Sequence, residues 1–210
     1  MRFYEPDITA TSVGSTYTLN PENSHHLSHV LRAKIDEEVV VFNGKSGELK
    51  ATIHKIEKKS VTLEILSFIA IDRTRPRPVD LVFPLSAKTK MSFIIQKSTE
   101  LAVSNLYPIQ TDFGQRQVDR HNMQSTLRYQ KIIIAAAMQS GLNVLPRCHT
   151  PYQIHDLPWP VWRQSIKAVC HPGVQSTYSQ DNPDRIVWFV GPEGGWSEAE
   201  IVFFEEKKCD

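Results

Sequence analysis

Three apolar-rich stretches mark the first seventy or so residues: EVVVF (Glu38–Phe42), ELKATIHKI (Glu48–Ile56) and VTLEIL (Val61–Leu66). Short runs rich in valine, isoleucine and threonine predict strands. NGKSG (Asn43–Gly47) and the charged EKKS (Glu57–Ser60) supply the turns between them. Ahead of this meander the period changes in NPENSHHLSHVLRA. Asn20 as cap and Pro21 in the first helical position predict a helix. It would carry Leu27, Val30 and Leu31 on one face. Short strands folded around a single helix predict a small β-barrel over residues 1–71.

Residues 72–78, DRTRPRP, hold two prolines and three arginines. They leave no apolar face to bury and predict an exposed linker. From Val79 onward a different rhythm sets in, defining a second domain over residues 79–210. The strand VDLVFPL leads into the helix MSFIIQKSTELAV, and a strand follows at Leu106–Gln110. A long helix covers Met123–Ser140, with Gly141 as its C-cap. Apolar segments at Val144–Leu145, Ile166–Cys170 and Ile186–Val190 then alternate with loops and a closing helix. Strands alternating with helices predict an α/β fold with a parallel sheet. Thr150–Trp162, restrained by Pro151, Pro158 and Pro160, reads as a packed irregular segment on the surface.

Composition narrows the class without naming it. Hydrophobic content of 40% and charged content of 22% over 210 residues are ordinary for a soluble globular chain. Apolar runs such as Ile132–Met138 are too short to cross a bilayer, and MRFYEPDITA lacks the apolar core of a secretion signal. Cys148, Cys170 and Cys209 are odd in number and have no paired spacing, so reduced thiols and a cytoplasmic location are expected. The net charge of +1 neither demands nor excludes nucleic acid. Between Asp72 and Lys97, however, basic residues exceed acidic ones by four, and clustered cations can neutralise phosphates. A solvated linker and helix face explains the same charges.

The stretch with the most chemical content is FVGPEGGWSEAE, Phe189–Glu200. In open α/β sheets, ligands collect beyond the carboxyl ends of the strands, and GPEGG follows such a strand. Gly194 and Gly195 permit positive φ and a close approach to the backbone. Ser197 and Glu200 have the spacing of a capping box, which satisfies the next helix start internally and weakens a phosphate-site reading. The G-x-G-x-x-G fingerprint of dinucleotide sites is missing. A ligand loop and a tight structural turn both fit. His25 and His29, four apart, have a spacing that could bind zinc, but no nearby cysteine completes a site. A polar face towards RNA or solvent is expected there, and no metal.

The chain also resembles the bacterial 16S ribosomal RNA uridine-N3 methyltransferases of the SPOUT superfamily. The resemblance rests on HHLSHVLR (His25–Arg32), KMSFIIQKSTELAV (Lys90–Val103), YQKIIIAAAMQSG (Tyr129–Gly141), VCHP (Val169–Pro172) and GPEGGWSEAEI (Gly191–Ile201), in order along nearly the whole length. It implies a PUA-like N-terminal barrel that holds RNA and a C-terminal SPOUT-type α/β domain with a trefoil knot. It implies S-adenosylmethionine as cofactor, a homodimer, and 16S rRNA of the small ribosomal subunit as partner. By the same likeness His171, Pro172, Gly191, Pro192, Glu193, Gly194 and Gly195 line the cofactor site. Methylation at N3 needs an unpaired, splayed-out uridine and loss of its ring proton. Glu100 and Glu193 are the candidate proton acceptors, and Lys97 or Arg116 could stabilise the anionic base. Arg2, His29, Arg32, Lys88, Lys90, Lys97 and Arg116 are the candidate RNA contacts.

Two features depart from the family. Met138 and Leu142 stand in the last turn of the long helix and just past it, where relatives carry glutamate and arginine. Relatives also continue beyond the GPEGG helix with a strand, a loop and a final helix that cover the adenosine and build the dimer interface. For the 210 residues ending at EEKKCD this implies an incomplete C-terminal domain and weak or absent cofactor binding. Ile201, Val202, Phe203 and Phe204 would form an exposed apolar patch. A non-catalytic RNA-binding remnant of the family is the alternative function.

Overall fold

The computed structural model describes residues 1–114, 123–172 and 183–209. Contacts divide the chain into two units, Met1–Thr74 with Ala137–Leu145, and Arg75–Ala136 with Pro146–Asp210.

The first unit is built on strands β1 (Arg2–Tyr4), β2 (Thr16–Thr18), β3 (Glu38–Phe42), β4 (Glu48–Ile56) and β5 (Val61–Ile69). They form one sheet in the order β1-β3-β4-β5-β2, antiparallel except for β1 on β3. Register shifts in β4 at Lys50/Ala51 and Ile53/Lys55 mark bulges, which bend the long hairpin. Phe3, Val39, Val41, Leu49, Ile53, Leu63 and Ile65 fill its core with Leu27. Leu27 comes from the segment after α1 (Pro21–His25), which starts as the sequence predicts: the Asn20 side chain accepts from the Asn23 amide at 2.9 Å, with proline next. The expected single apolar face does not continue. A π-helical turn over His26–Val30 widens the winding, so Leu27 is buried while Val30 and Leu31 are exposed.

Residues 72–78 are exposed in part, yet they are tied down rather than loose. The carboxylate of buried Glu48 accepts from Arg73 Nε and Nη2, at 3.2 and 2.9 Å, and from Arg2 Nη1 at 2.7 Å. These bonds hold its carboxyl below the usual carboxylate range, the Arg73 hydrogen bond foremost. Asn143, wholly buried, accepts from the Arg73 amide and donates to the carbonyls of Gly47 and Ile71. Val144–Leu145 does not become a strand of the parallel sheet. It belongs to this first unit, bridged at Gly44.

The second unit carries β6 (Val79–Pro84), β7 (Asn105–Gln110), β8 (Arg147–Cys148), β9 (Tyr152–Gln153), β10 (Ile166–Cys170) and β11 (Ile186–Val190). All pairings are parallel, in the order β10-β11-β6-β7-β8, with β9 also on β7. Near-continuous burial along β6 and β7 is what a parallel sheet covered on both faces requires. Helix α2 (Lys88–Glu100) buries Met91, Ile95, Ser98 and Thr99, spaced by one and two turns. Helix α3 (Met123–Ser140) buries Ile133, Ala136 and Ala137 and ends at Gly141 with φ +83°. Its last residues, from Ala137, belong to the first unit, and there Met138 and Leu142, the two departures from the family pattern, are packing residues: Met138 lies against that unit's core and Leu142 is buried.

Thr150–Trp162 is less superficial than the sequence suggests. Trp162 is wholly buried, its indole edge-on to Tyr107 and Phe189, with Nε1 donating to Asp80 Oδ2 at 2.9 Å. The expected patch on α4 (Glu198–Glu206) is likewise mostly covered. Phe204 is buried against Phe189 and Trp196, and Phe203 packs edge-on to Trp159; Val202 stays exposed.

Candidate active site

The carboxyl ends of β10, β11 and β6 lie side by side. Cys170 is in register with Val190, and Phe189 with Val82. The loops that leave them are His171–Pro172, Gly191–Gly195 and Leu85–Ser86, so the structure brings the expected cofactor residues to one end of one sheet. The glycine loop is a turn closed by the Gly195 amide on the Pro192 carbonyl at 2.9 Å. Gly195 has φ +78°, and a Cβ built there would meet nothing within 4 Å: its outer face is bare. Gly194 is held the other way, since a Cβ there would stand 3.2 Å from the Cβ of Phe113. Trp196 anchors the loop from beneath. Its Nε1 donates to the Cys170 carbonyl at 3.2 Å, tying the glycine loop to the end of β10.

The capping box forms as expected and reaches further. Ser197 Oγ accepts from the Glu200 amide, and Glu200 Oε2 from the Ser197 amide. The same Ser197 hydroxyl donates to Asp112 Oδ2 at 2.5 Å, and Glu200 Oε1 accepts from the Asp112 amide at 3.1 Å. The exit of β7 is thereby clamped to the start of α4 by both the backbone and the side chain of Asp112.

Beside the loop is a cleft of about 220 Å³. Its lining includes Leu85, Lys90, Ile94, Phe113 and Glu193. Lys90 and Glu193 are paired, which joins the first turn of α2 to the glycine loop. That first turn has no acidic residue and no side-chain cap, and it carries Lys88 and Lys90. Lysines at a helix N-terminus oppose the helix dipole, so the site accepts a local cost and presents positive potential. Arg128 of α3 adds to it, its Nη2 donating to Ser92 Oγ and the Lys88 carbonyl.

The expected site residues separate by position. Glu193 and Lys90 line the cleft; Glu100 and Lys97 do not, being paired with each other at 2.7 Å on the last turns of α2. His171 and Pro172 are exposed at the end of β10. His29 is exposed in the first unit, stacked on His25 at 4.6 Å, and Arg32 is exposed with φ +52°. Arg2 is not offered to solvent as a phosphate contact would be. Its guanidinium is bound to Glu48 and lies 5.2 Å from the Phe42 ring centroid, with Nε and Nη2 sealed from water. Arg116 lies outside the described residues. Phe113 and Arg128 were not foreseen. An aromatic-glycine pair just past a parallel strand was the available signal for Phe113; nothing local marks Arg128.

Comparison with known proteins gives the family. Residues 73–210 match the model of an RNA methyltransferase domain, and residues 19–66 that of an RNA methyltransferase PUA domain. The ribosomal RNA small subunit methyltransferase E of Buchnera aphidicola is 31% identical over 66% of this chain and 55% of its own length. The chain thus spans about half of that relative. Ribosomal RNA small subunit methyltransferase E 2 of Borreliella burgdorferi is 29% identical over 87% of this chain and 76% of its own. The crystal structure of a ribosomal RNA small subunit methyltransferase E from Neisseria gonorrhoeae, bound to S-adenosylmethionine, superimposes with a TM-score of 0.84 at 28% identity, covering 100% of this chain and 86% of that one. A PUA-like unit followed by a SPOUT-type parallel α/β unit is the architecture these matches share. The chain belongs to the RNA methyltransferase family.

Proposed function

We propose that the protein transfers a methyl group from S-adenosylmethionine to N3 of one uridine of 16S rRNA in the small ribosomal subunit. The observation that carries this reading is the bare backbone of Gly195 at the carboxyl end of the parallel sheet, next to a cleft with its own ion pair. Gly191–Gly195 and His171–Pro172 are the residues that would hold the cofactor, and the open face of Gly195 fits close approach by a ligand. When bound, S-adenosylmethionine supplies a methyl group activated by its sulfonium.

The protein's own work is placement and proton handling. In the neutral base N3 carries a hydrogen, so the N–H bond must break as the N–C bond forms. Glu193 is the acceptor assigned to that proton, because it lines the cleft and Glu100 does not. Lys90, its partner, is placed to offset negative charge that develops on the ring oxygens. The pair faces solvent in the free protein, so that attraction strengthens only once a bound base and cofactor cover it against the apolar walls, Leu85 and Ile94 among them.

The test uses small subunits lacking the modification, incubated with the protein and labelled S-adenosylmethionine, followed by mapping of the label. One N3-methyluridine in 16S rRNA is expected. Subunit binding with no label transferred would favour the non-catalytic alternative. Glu193→Gln should slow transfer about 10²- to 10⁴-fold, the range for a general base. An unchanged rate removes Glu193 from the mechanism.

A further inference from the structure

Phe113 has no part in the chemistry above, yet it is the most conspicuous side chain of the site. It is 56% exposed, whereas the other phenylalanine of the cleft, Phe83, is buried. A large apolar ring left in water forgoes the gain of burial. Its backbone, by contrast, is fixed: Asp112 is clamped to Ser197 and Glu200, and the Gly114 amide closes a turn on the Thr111 carbonyl at 3.0 Å. The backbone of Gly194 rests against its Cβ. The ring is therefore held out on a rigid stem, over a cleft whose charged members are Lys90 and Glu193.

We propose that Phe113 is the stacking platform for the target base, a single unpaired pyrimidine of RNA. This rests on the reading of the cleft as the methyl-transfer site. A volume of about 220 Å³ equals roughly seven waters at ~30 Å³ each. That is room for one flat ring laid beside Phe113. An aromatic face accepts any base, and the Lys90–Glu193 pair at the cleft wall meets the hydrogen-bonding edge of the ring, the edge that carries N3. Platform and polar pair together select a base taken out of its helix.

The experiment compares Phe113→Ala, Phe113→Leu and Phe113→Trp in the full chain. Alanine keeps the Cβ that Gly194 packs against, so the loop should keep its conformation. Three quantities are measured: affinity for a short single-stranded oligouridine, affinity for S-adenosylmethionine, and methyl transfer to unmodified small subunits. Expected are a loss of oligouridine affinity of roughly 5- to 150-fold for alanine, the span of base–aromatic stacking, a similar loss for leucine, and near wild-type affinity for tryptophan. Cofactor affinity should hold in all three. Unchanged oligouridine affinity in Phe113→Ala overturns the proposal. So does leucine performing as well as tryptophan, which would make the contact merely apolar. So does a parallel loss of cofactor affinity, which would assign the ring to the adenosyl group. The two readings fail separately. Wild-type protein that transfers no methyl while the oligouridine pattern holds sinks the reaction and spares the platform. Normal transfer with no pattern does the reverse.

Discussion

The two ends of the parallel sheet are built on opposite principles. At the amino end, Asp80 is wholly buried and saturated. Arg185 Nη1 donates to both of its oxygens at 2.7 and 2.8 Å, Trp162 Nε1 to one and Asn105 Nδ2 to the other. Asn105 Oδ1 then accepts from His149 Nε2, which fixes that tautomer, and the imidazole stacks on Tyr107 at 4.2 Å. Burial first, and the Asp80 charge second, push the Tyr107 hydroxyl up to about 12, so it stays neutral. At the carboxyl end the order is reversed: a bare glycine, an exposed ring, lysines against a helix dipole, and an ion pair half in water. Polar groups at one end are spent on each other, which makes that end rigid. At the other they are left available, and the bare glycine and solvent-facing pair there add little to stability. A sheet whose far end is locked can carry an unsatisfied one.

The largest effect should come from the locked end. Asp80→Asn leaves Arg185 without its charge partner, and losing one member of a buried pair costs about 3–5 kcal/mol. All four tryptophans, Trp159, Trp162, Trp188 and Trp196, lie in the second unit, so indole fluorescence during urea unfolding reads this unit alone. A transition midpoint equal to wild type would show that the network is ornamental and would erase the contrast. Gly195→Ala should do less to stability and more to function. Left-handed backbone costs a non-glycine residue about 1–2 kcal/mol, and no clash adds to it. The new methyl group would occupy the open face, so cofactor affinity should fall about tenfold or more, the equivalent of ~1.4 kcal/mol. Unaltered affinity in calorimetry would mean that no ligand touches that backbone.

What the sequence disclosed follows the same division by range. Features set within one turn of chain were legible: Asn20 with Pro21, Gly141, and the Ser197–Glu200 box all form as their spacing implies. Strand and helix periods of the α/β unit were legible too, because a covered parallel sheet forces continuous apolar runs. Contacts closed over long separations were not. Trp162 reaches Asp80 across 82 residues, and Asn143 reaches Gly47 across 96; proline content alone had placed the first of these on the surface. Of the candidate site, the glycine loop and the Lys90–Glu193 members were visible as residue types, but the cleft they share was not, and it is the cleft, lined by Glu193 and not by Glu100, that separates the two glutamates. Val30 and Leu31 failed for a subtler reason. A π-turn changes the winding, and a pattern read at 3.6 residues per turn then points at the wrong face.

A smaller effect belongs to pH. Burial, with help from the Arg147 charge, holds the His149 imidazole below its ordinary value of 6.5. With a depressed folded-state pKa, its contribution to stability is complete above 6.5 and is lost as pH falls through the folded value. His149→Phe keeps a ring against Tyr107 and removes the titration. Urea midpoints across that window should therefore slope less in the variant than in wild type. Identical slopes would place the acid sensitivity elsewhere, Glu48 being the next group to examine since its carboxyl is held low by Arg73.

The smallest effect should be that of Glu100→Gln, and for that reason it discriminates well. Glu100 accepts from Lys97 Nζ at 2.7 Å and from Gln96 Nε2 at 2.9 Å, and its pKa lies below the usual range, chiefly through the Lys97 bond. A pair of this kind on an exposed helix face is screened by water and salt, and glutamine can keep one of the two bonds. Neither stability nor methyl transfer should change measurably, while Glu193→Gln, a chemically equal substitution in the same protein, should slow transfer by orders of magnitude. Single-turnover rates for the two variants, measured side by side on unmodified small subunits, make the comparison. If both fall together, the cleft beside the glycine loop is not where the proton leaves. The working end of the sheet would then have to extend along α2 to its last turn.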